Sequence, residues 1–130
     1  MVLLDTNFII DLMEGVPEAE EKARELEDGS EEVRIPSPVI FELWEGIERS
    51  GSSLKEEDRV LKVLNSFLNV SLDKRHAKAS GRRSGELVRK GEMLDPIDVL
   101  IAGIASVEGE PLVTRDEHFE RIDGVVLEKY

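Results

Sequence analysis

The sequence predicts an α/β domain with a mainly parallel central sheet flanked by helices. Three observations carry that expectation. The chain opens on an apolar run, Val2-Leu3-Leu4, that shows no alternation, as suits a strand buried on both faces of a parallel sheet. Further short strand-like stretches recur at residues 33–35, 69–72, 111–114 and 125–127. The segments between them have helical spacing, and two open with a cap residue followed by proline, Ser37-Pro38 and Asp95-Pro96. Strands that alternate with helices are what parallel βαβ units produce.

In order, the first strand meets Asp5 and gives way to a short helix with Phe8, Ile9, Ile10, Leu12 and Met13, ending near Gly15. Pro17 opens a helix over residues 17–28 with one thin apolar face, Ala19, Ala23 and Leu26. Residues 14–32 hold nine acids against two bases, a net of −7, and read as a solvated face. After the 33–35 strand, Ile40, Leu43, Trp44 and Ile47 fall at i, i+3, i+4 and i+7 on one helix face, flanked by Glu42. Residues 50–53 read as a turn or mobile loop, 54–68 as an amphipathic helix, 69–72 as a strand and 73–90 as a polar helix. The helix opened by Asp95-Pro96 is apolar nearly all round from Ile97 to Val107, so it should be buried. Ala102, Gly103 and Ala105 let a neighbour pack close. Residues 111–114 form a strand, 115–119 a turn into a short helix, and 125–127 a last, edge strand. Repeats and linkers are not visible.

The totals set bounds. With 130 residues, 40% of them hydrophobic, residues 1–130 are expected to form one domain. No window of 18 apolar residues exists, which predicts no membrane span, and no basic n-region precedes an apolar core, which predicts no signal peptide. The cytoplasm is the expected location. Without cysteine there are neither disulfides nor thiolate metal sites. A metal must then be held by oxygen or by the two histidines, and carboxylates suit Mg²⁺ or Mn²⁺. The net charge of −12 argues against binding nucleic acid through the overall field, so distribution matters more than the total.

Four acids stand next to buried elements instead of on solvated faces: Asp5 at a strand end, Glu42 on an apolar helix, Asp98 at the start of the buried helix, and Asp116 just after a strand. Buried carboxylates are costly unless paired or metal-bound. Four that converge would repel, and a divalent cation is the simplest remedy. Ligand sites of open α/β sheets collect at the carboxyl ends of their strands. Carboxylates holding one or two Mg²⁺ ions also suit phosphodiester hydrolysis, where the cation neutralises phosphate, activates a water and stabilises the departing oxygen. Each acid has a purely local alternative. Asp5 or Thr6 can cap the next helix, Asp98 sits at the capping-box position after Asp95, Asp116 can cap the following turn, and Glu45 rivals Glu42. Taken singly, the residues leave these alternatives open; their joint order and context favour the metal site.

Four motifs in that order resemble the PIN-domain family: Leu4-Asp5-Thr6-Asn7, Phe41-Glu42-Leu43-Trp44-Glu45-Gly46, the stretch Asp98-Val99-Leu100-Ile101-Ala102-Gly103-Ile104-Ala105, and Leu112-Val113-Thr114-Arg115-Asp116-Glu117-His118-Phe119. Within that family the best match is to the VapC-type toxin ribonucleases of toxin–antitoxin pairs, over essentially the whole chain. The resemblance implies a PIN-like three-layer sandwich and a Mg²⁺- or Mn²⁺-dependent endoribonuclease that hydrolyses RNA phosphodiester bonds without a covalent intermediate. It casts Asp5, Glu42, Asp98 and Asp116 as catalytic metal ligands, and Asn7 and Thr114 as polar supports. Asp116 falls at the family's most variable acidic position. The implied partners are an RNA substrate, a small antitoxin protein whose tail lies over the acidic pocket, and a second copy in a homodimer. Phe41, Trp44 or the 54–68 helix offers a surface for that dimer.

Residues 74–90 carry seven of the 17 bases against one acid, a net of +6. Lys78, Arg82 and Arg83 are the candidate contacts to RNA phosphates; the alternative is a solvated helix paired with the 14–32 acids. His76 and His118 read as surface residues. Rival functions are a PIN nuclease of RNA processing with no toxin role, and a non-catalytic module that binds RNA or a partner. A receiver-like domain would have only Asp73 as phosphoacceptor, and a dehalogenase-type phosphatase would need a second acid where Asn7 stands.

Overall fold

Val2, Leu3 and Leu4 are wholly buried and form β1 (Val2–Leu4), the central strand of a five-stranded sheet ordered β3-β2-β1-β4-β5. The structure, a computed structural model, describes residues 1–51 and 53–130; the loop expected at 50–53 includes Ser52, which lies outside the described residues. The other strands are β2 (Val33–Pro36), β3 (Leu68–Val70), β4 (Leu112–Val113) and β5 (Leu127–Glu128). Every pairing is parallel, so the sheet is parallel throughout rather than mainly so. Among the described residues six helices connect the strands: α1 (Thr6–Met13), α2 (Pro17–Asp28), α3 (Ser37–Arg49), α4 (Leu54–Asn65), α5 (Lys74–Arg89) and α6 (Pro96–Glu108). A short 3₁₀ turn covers Glu117–Arg121.

The chain builds β2 and β3 on one side of β1, then crosses to place β4 and β5 on the other. Right-handed crossovers in opposite directions put helices on both faces, which gives three layers. The carboxyl ends of β1 and β4 lie side by side where the strand order reverses. Leu3 stands opposite Leu112 and Leu4 opposite Val113, and the ladder runs one residue further because the Asp5 N–H donates to the Val113 carbonyl at 3.1 Å.

The apolar helix α6 is buried as expected, with Val99, Ile101, Ala102, Gly103, Ile104 and Ala105 all inside. Asp95 caps it, accepting from the Ile97 N–H at 2.8 Å, and Gly109 ends it in the left-handed conformation at φ +65°, where glycine is favoured. α5 packs along α6, and the contact depends on Gly103. A Cβ there would lie 3.0 Å from the Ser80 Cβ and 3.1 Å from its backbone nitrogen. Gly103→Ala should therefore destabilise the protein by ~1–3 kcal/mol as overpacking, read as a lower urea midpoint; an unchanged midpoint would mean the helices separate freely.

Several local expectations shift. Ser37 is the first residue of α3, not its cap; Pro36 takes the cap position. The Ser37 hydroxyl instead accepts from the Leu72 N–H at 3.1 Å. The helix expected over 54–68 stops at Asn65, because Leu68 and Asn69 pair with β2 opposite Arg34 and Ile35. The edge strand expected at 125–127 is Leu127–Glu128. His76 is not at the surface: it is 1% exposed. Its Nδ1 accepts from the Asp73 N–H at 2.9 Å, which leaves its Nε2–H to donate to Glu108 at 2.8 Å and ties the start of α5 to the end of α6. Among the described residues no helix is long and apolar enough to cross a membrane.

Candidate active site

Four acids from four separate elements meet at the reversal point between β1 and β4. Asp5 ends β1 and caps α1, Glu42 projects from α3, Asp98 from the first turn of α6, and Asp116 follows β4. All four line one pocket of 310 Å³ together with Thr6, Asn7, Ile10 and Asp95. Among the described residues no basic side chain lines it. Two of the local alternatives hold as well: Asp5 accepts from the Thr6 N–H at 2.8 Å, and Asp116 from the His118 N–H at 2.9 Å. Capping and membership of the acidic pocket are one placement, since a helix starting at a strand end puts its cap residue there.

Hydrogen bonds fix the carboxylates. The Thr114 hydroxyl, 1% exposed, donates to Asp5 Oδ2 at 2.7 Å and accepts from the Asp116 N–H at 3.0 Å. One hydroxyl thus joins two of the acids. The Thr6 hydroxyl donates to Glu42 Oε1 at 2.5 Å. The His118 ring lies with Nδ1 2.7 Å from Asp116 Oδ1. Asn7 lines this pocket and also the neighbouring groove formed by residues 115–121.

Crowding shows in the protonation equilibria. Burial, with the Glu42 and Asp116 charges adding to it, raises Asp5 to about 6 despite the opposing bonds from Thr114 and Thr6. Asp98 rises to about 7, first through burial and then through repulsion by Asp5, Glu42, Asp95 and Asp116. Glu42 is raised by burial and by Asp95 and Glu45, against its bond from Thr6. A carboxyl whose folded pKa exceeds its unfolded value near 3.8 holds its proton more tightly in the folded state. Between those values folding stability falls as pH rises. In EDTA the melting temperature should therefore climb as pH is lowered from 8 to 5, and a divalent cation should reverse most of the loss at pH 8. Scanning calorimetry checks both; a flat profile without metal would mean that neither burial nor mutual repulsion raises these acids.

The donor set fits a hard divalent cation. Carboxylate oxygens of Glu42, Asp95 and Asp98 lie within 4.8 Å of one another, and the charges of Asp5 and Asp116 act on Asp98. All the charged groups lining the pocket are carboxylates, as Mg²⁺ and Mn²⁺ favour. Two members were missed as site residues at the sequence level. Asp95 reads there only as a cap and Thr6 only as a rival cap; the signals were a second acid in the first turn of α6 and a hydroxyl next to Asp5. Lys78, Arg82 and Arg83 do not line the pocket. Lys78 and Arg82 are exposed. Arg83 donates to the Asp123 and Ala79 carbonyls, each at 3.1 Å, and to the Ser106 hydroxyl.

Fold and site together define an α/β protein with an acidic pocket at the switch point of a doubly wound parallel sheet. The profile of the PIN domain matches residues 2–125, and the chain belongs to the PIN-domain family. Among its relatives is the tRNA(fMet)-specific endonuclease VapC of Salmonella typhimurium, 32% identical over 98% of this chain and 96% of that protein. The fold is also that of VapBC2 from Rickettsia felis, solved bound to a DNA fragment from their promoter. That comparison gives a TM-score of 0.84 and 28% identity over 100% of this chain and 99% of the other. DNA-bound VapBC from Salmonella typhimurium gives a TM-score of 0.82 and 32% identity over 98% and 96%.

Proposed function

We infer that the chain is an endoribonuclease that hydrolyses RNA phosphodiester bonds with a bound divalent cation, acting as the toxin of a toxin–antitoxin pair in the cytoplasm. One observation carries this: the carboxyls of Asp5, Glu42, Asp95, Asp98 and Asp116 share a pocket that no base among the described residues lines. Such a pocket repels a bare phosphate and accepts one once a cation is in place. Kinship with a tRNA-specific VapC supports RNA as the substrate.

Asp5, Glu42, Asp98 and Asp116 would hold Mg²⁺ or Mn²⁺, with Asp95 beside Glu42 and Asp98. When bound, the ion neutralises phosphate charge, activates water and stabilises the departing oxygen. Thr114 keeps Asp5 and the Asp116 backbone in register, and Thr6 holds Glu42 towards Asp5. Asn7 lines the same pocket and would orient water or substrate. Exposed Lys78 and Arg82 remain the proposed contacts to more distant RNA phosphates.

The related structures contain VapB–VapC pairs, which supports a small antitoxin as partner. An apolar groove lined by Ile10, Met13, Leu43, Ile47 and Val60 adjoins the acidic pocket, since Ile10 and Glu42 line both. It suits an apolar antitoxin segment that carries a basic side chain into the pocket. Phe41, 53% exposed, is a candidate contact for a homodimer.

The test is cleavage of a mixed tRNA pool with Mg²⁺, with Mn²⁺ and with EDTA. Cleavage with either ion and none in EDTA is expected. Cleavage indifferent to EDTA, or none by folded protein freed of antitoxin, would sink the proposal.

A further inference from the structure

Asp11 is a buried acid that the chemistry above does not use. It sits on α1 one turn past Asn7 and is 5% exposed, among the apolar residues of that helix. Its carboxylate takes three donors. Arg115 Nε reaches Oδ2 at 2.7 Å and an Arg115 terminal nitrogen reaches Oδ1 at 3.3 Å. The Tyr130 hydroxyl donates to Oδ2 at 2.6 Å. The Tyr130 ring in turn packs edge-on against Phe8, with centroids 5.0 Å apart. An arginine side chain that is 58% exposed is thereby held in a two-point contact across 104 positions of sequence.

Arg115 lies between Thr114 and Asp116. On one side, Thr114 is fastened to Asp5. On the other, Asp116 must face the pocket although it belongs to the loop after β4, where no strand pairing holds it. The bond from Arg115 to Asp11 ties this loop to the body of α1, the helix that Asp5 caps.

We propose that Asp11, with Tyr130 behind it, is a positioning residue for the nuclease site: it grips Arg115 and so holds Asp116 against the other carboxylates. This rests on the acidic pocket being the metal site proposed above. Asp11 touches neither cation nor substrate; it acts through Arg115. Partners that orient metal ligands are worth about 10- to 100-fold in metal affinity or activity, and the same size is expected here.

The variant is Arg115→Gln, since an exposed side chain can be changed without opening the core. Tyr130→Phe, which removes one hydroxyl and keeps the ring on Phe8, is the second. The first readout is the affinity for Mn²⁺ alone, by calorimetry. The second is kcat and KM for cleavage of the tRNA pool. The expected result is a Mn²⁺ Kd raised about 10-fold in Arg115→Gln, with kcat down by a similar factor and KM within twofold. Tyr130→Phe should move both the same way by less, and Arg115→Lys should recover part of the loss. Mn²⁺ affinity and kcat within twofold of wild type in a variant with a normal melting temperature would overturn the proposal. So would a rise in KM alone, which would make Arg115 an RNA contact. Wild type that neither binds Mn²⁺ nor cleaves RNA would overturn the nuclease reading itself, whereas wild type that does both beside an unaffected variant overturns only the role of Asp11.

Discussion

Asp98→Asn should lower kcat for RNA cleavage by at least ~100-fold, because a ligand should matter no less than the outer partners that orient it. The protein should stay folded. Asp98 is half-buried and feels repulsion from Asp5, Glu42, Asp95 and Asp116. Removing its charge relieves that repulsion in the metal-free state. In EDTA at pH 8 the variant should therefore melt no lower than wild type, and with Mn²⁺ it should gain less than wild type does. Stability and activity move in opposite directions, which separates this expectation from a capping role. A lost cap costs roughly 0.5–2 kcal/mol of stability and leaves chemistry in place. Asp95 holds the cap of α6 in any case. Near-normal cleavage by Asp98→Asn would remove Asp98 from the site.

The second large effect falls on a residue with no charge. Thr114→Val keeps the shape of the side chain but removes the donor to Asp5 and the acceptor of the Asp116 N–H. Loss of an outer partner predicts kcat lower by about 10- to 100-fold. The sign of the pH effect also follows. The Thr114 bond lowers the pKa of Asp5 against its burial, so without it Asp5 should deprotonate at higher pH. The rising limb of the pH–rate profile should then shift to higher pH in Thr114→Val. Thr114→Ser, which keeps both bonds, should behave as wild type. A uniform drop in rate with an unshifted profile would mean that Thr114 acts on something other than Asp5.

How far the sequence reaches depends on whether a role is local or crosses the fold. The apolar run of β1, the proline-marked start of α6 and the alternation of strands with helices are local, and they place Asp5, Asp98 and Asp116 at element ends where a parallel sheet collects ligands. Glu42 was legible for a similar reason, as an acid flanking an apolar helix face. Thr6 was not: a hydroxyl next to Asp5 is visible in the sequence, but its bond to Glu42 spans 36 positions and its partner is not. Asp11 sits in an apolar helix with its partner 104 positions away. His76 was misread because α5 has no apolar stripe. The face it turns to α6 carries His76, Ser80 and Arg83, spaced as a helix face should be but polar at each place. Hydrophobic periodicity cannot find a contact made by hydrogen bonds and by a glycine opposite.

The bond between Thr114 and Asp5 closes a span of 109 positions. Ribosomes release a chain from its amino end, and contacts this distant in sequence form late. A growing polypeptide that has released β1, β2 and β3 has Asp5 and Glu42 but neither Thr114 nor Asp116. β1 then still lacks the neighbour on its β4 side. The pocket comes into being only when β4 docks. Until β4 has left the ribosome, the acidic pocket therefore lacks both Asp116 and the hydroxyl that holds Asp5, a dependence that follows from topology alone.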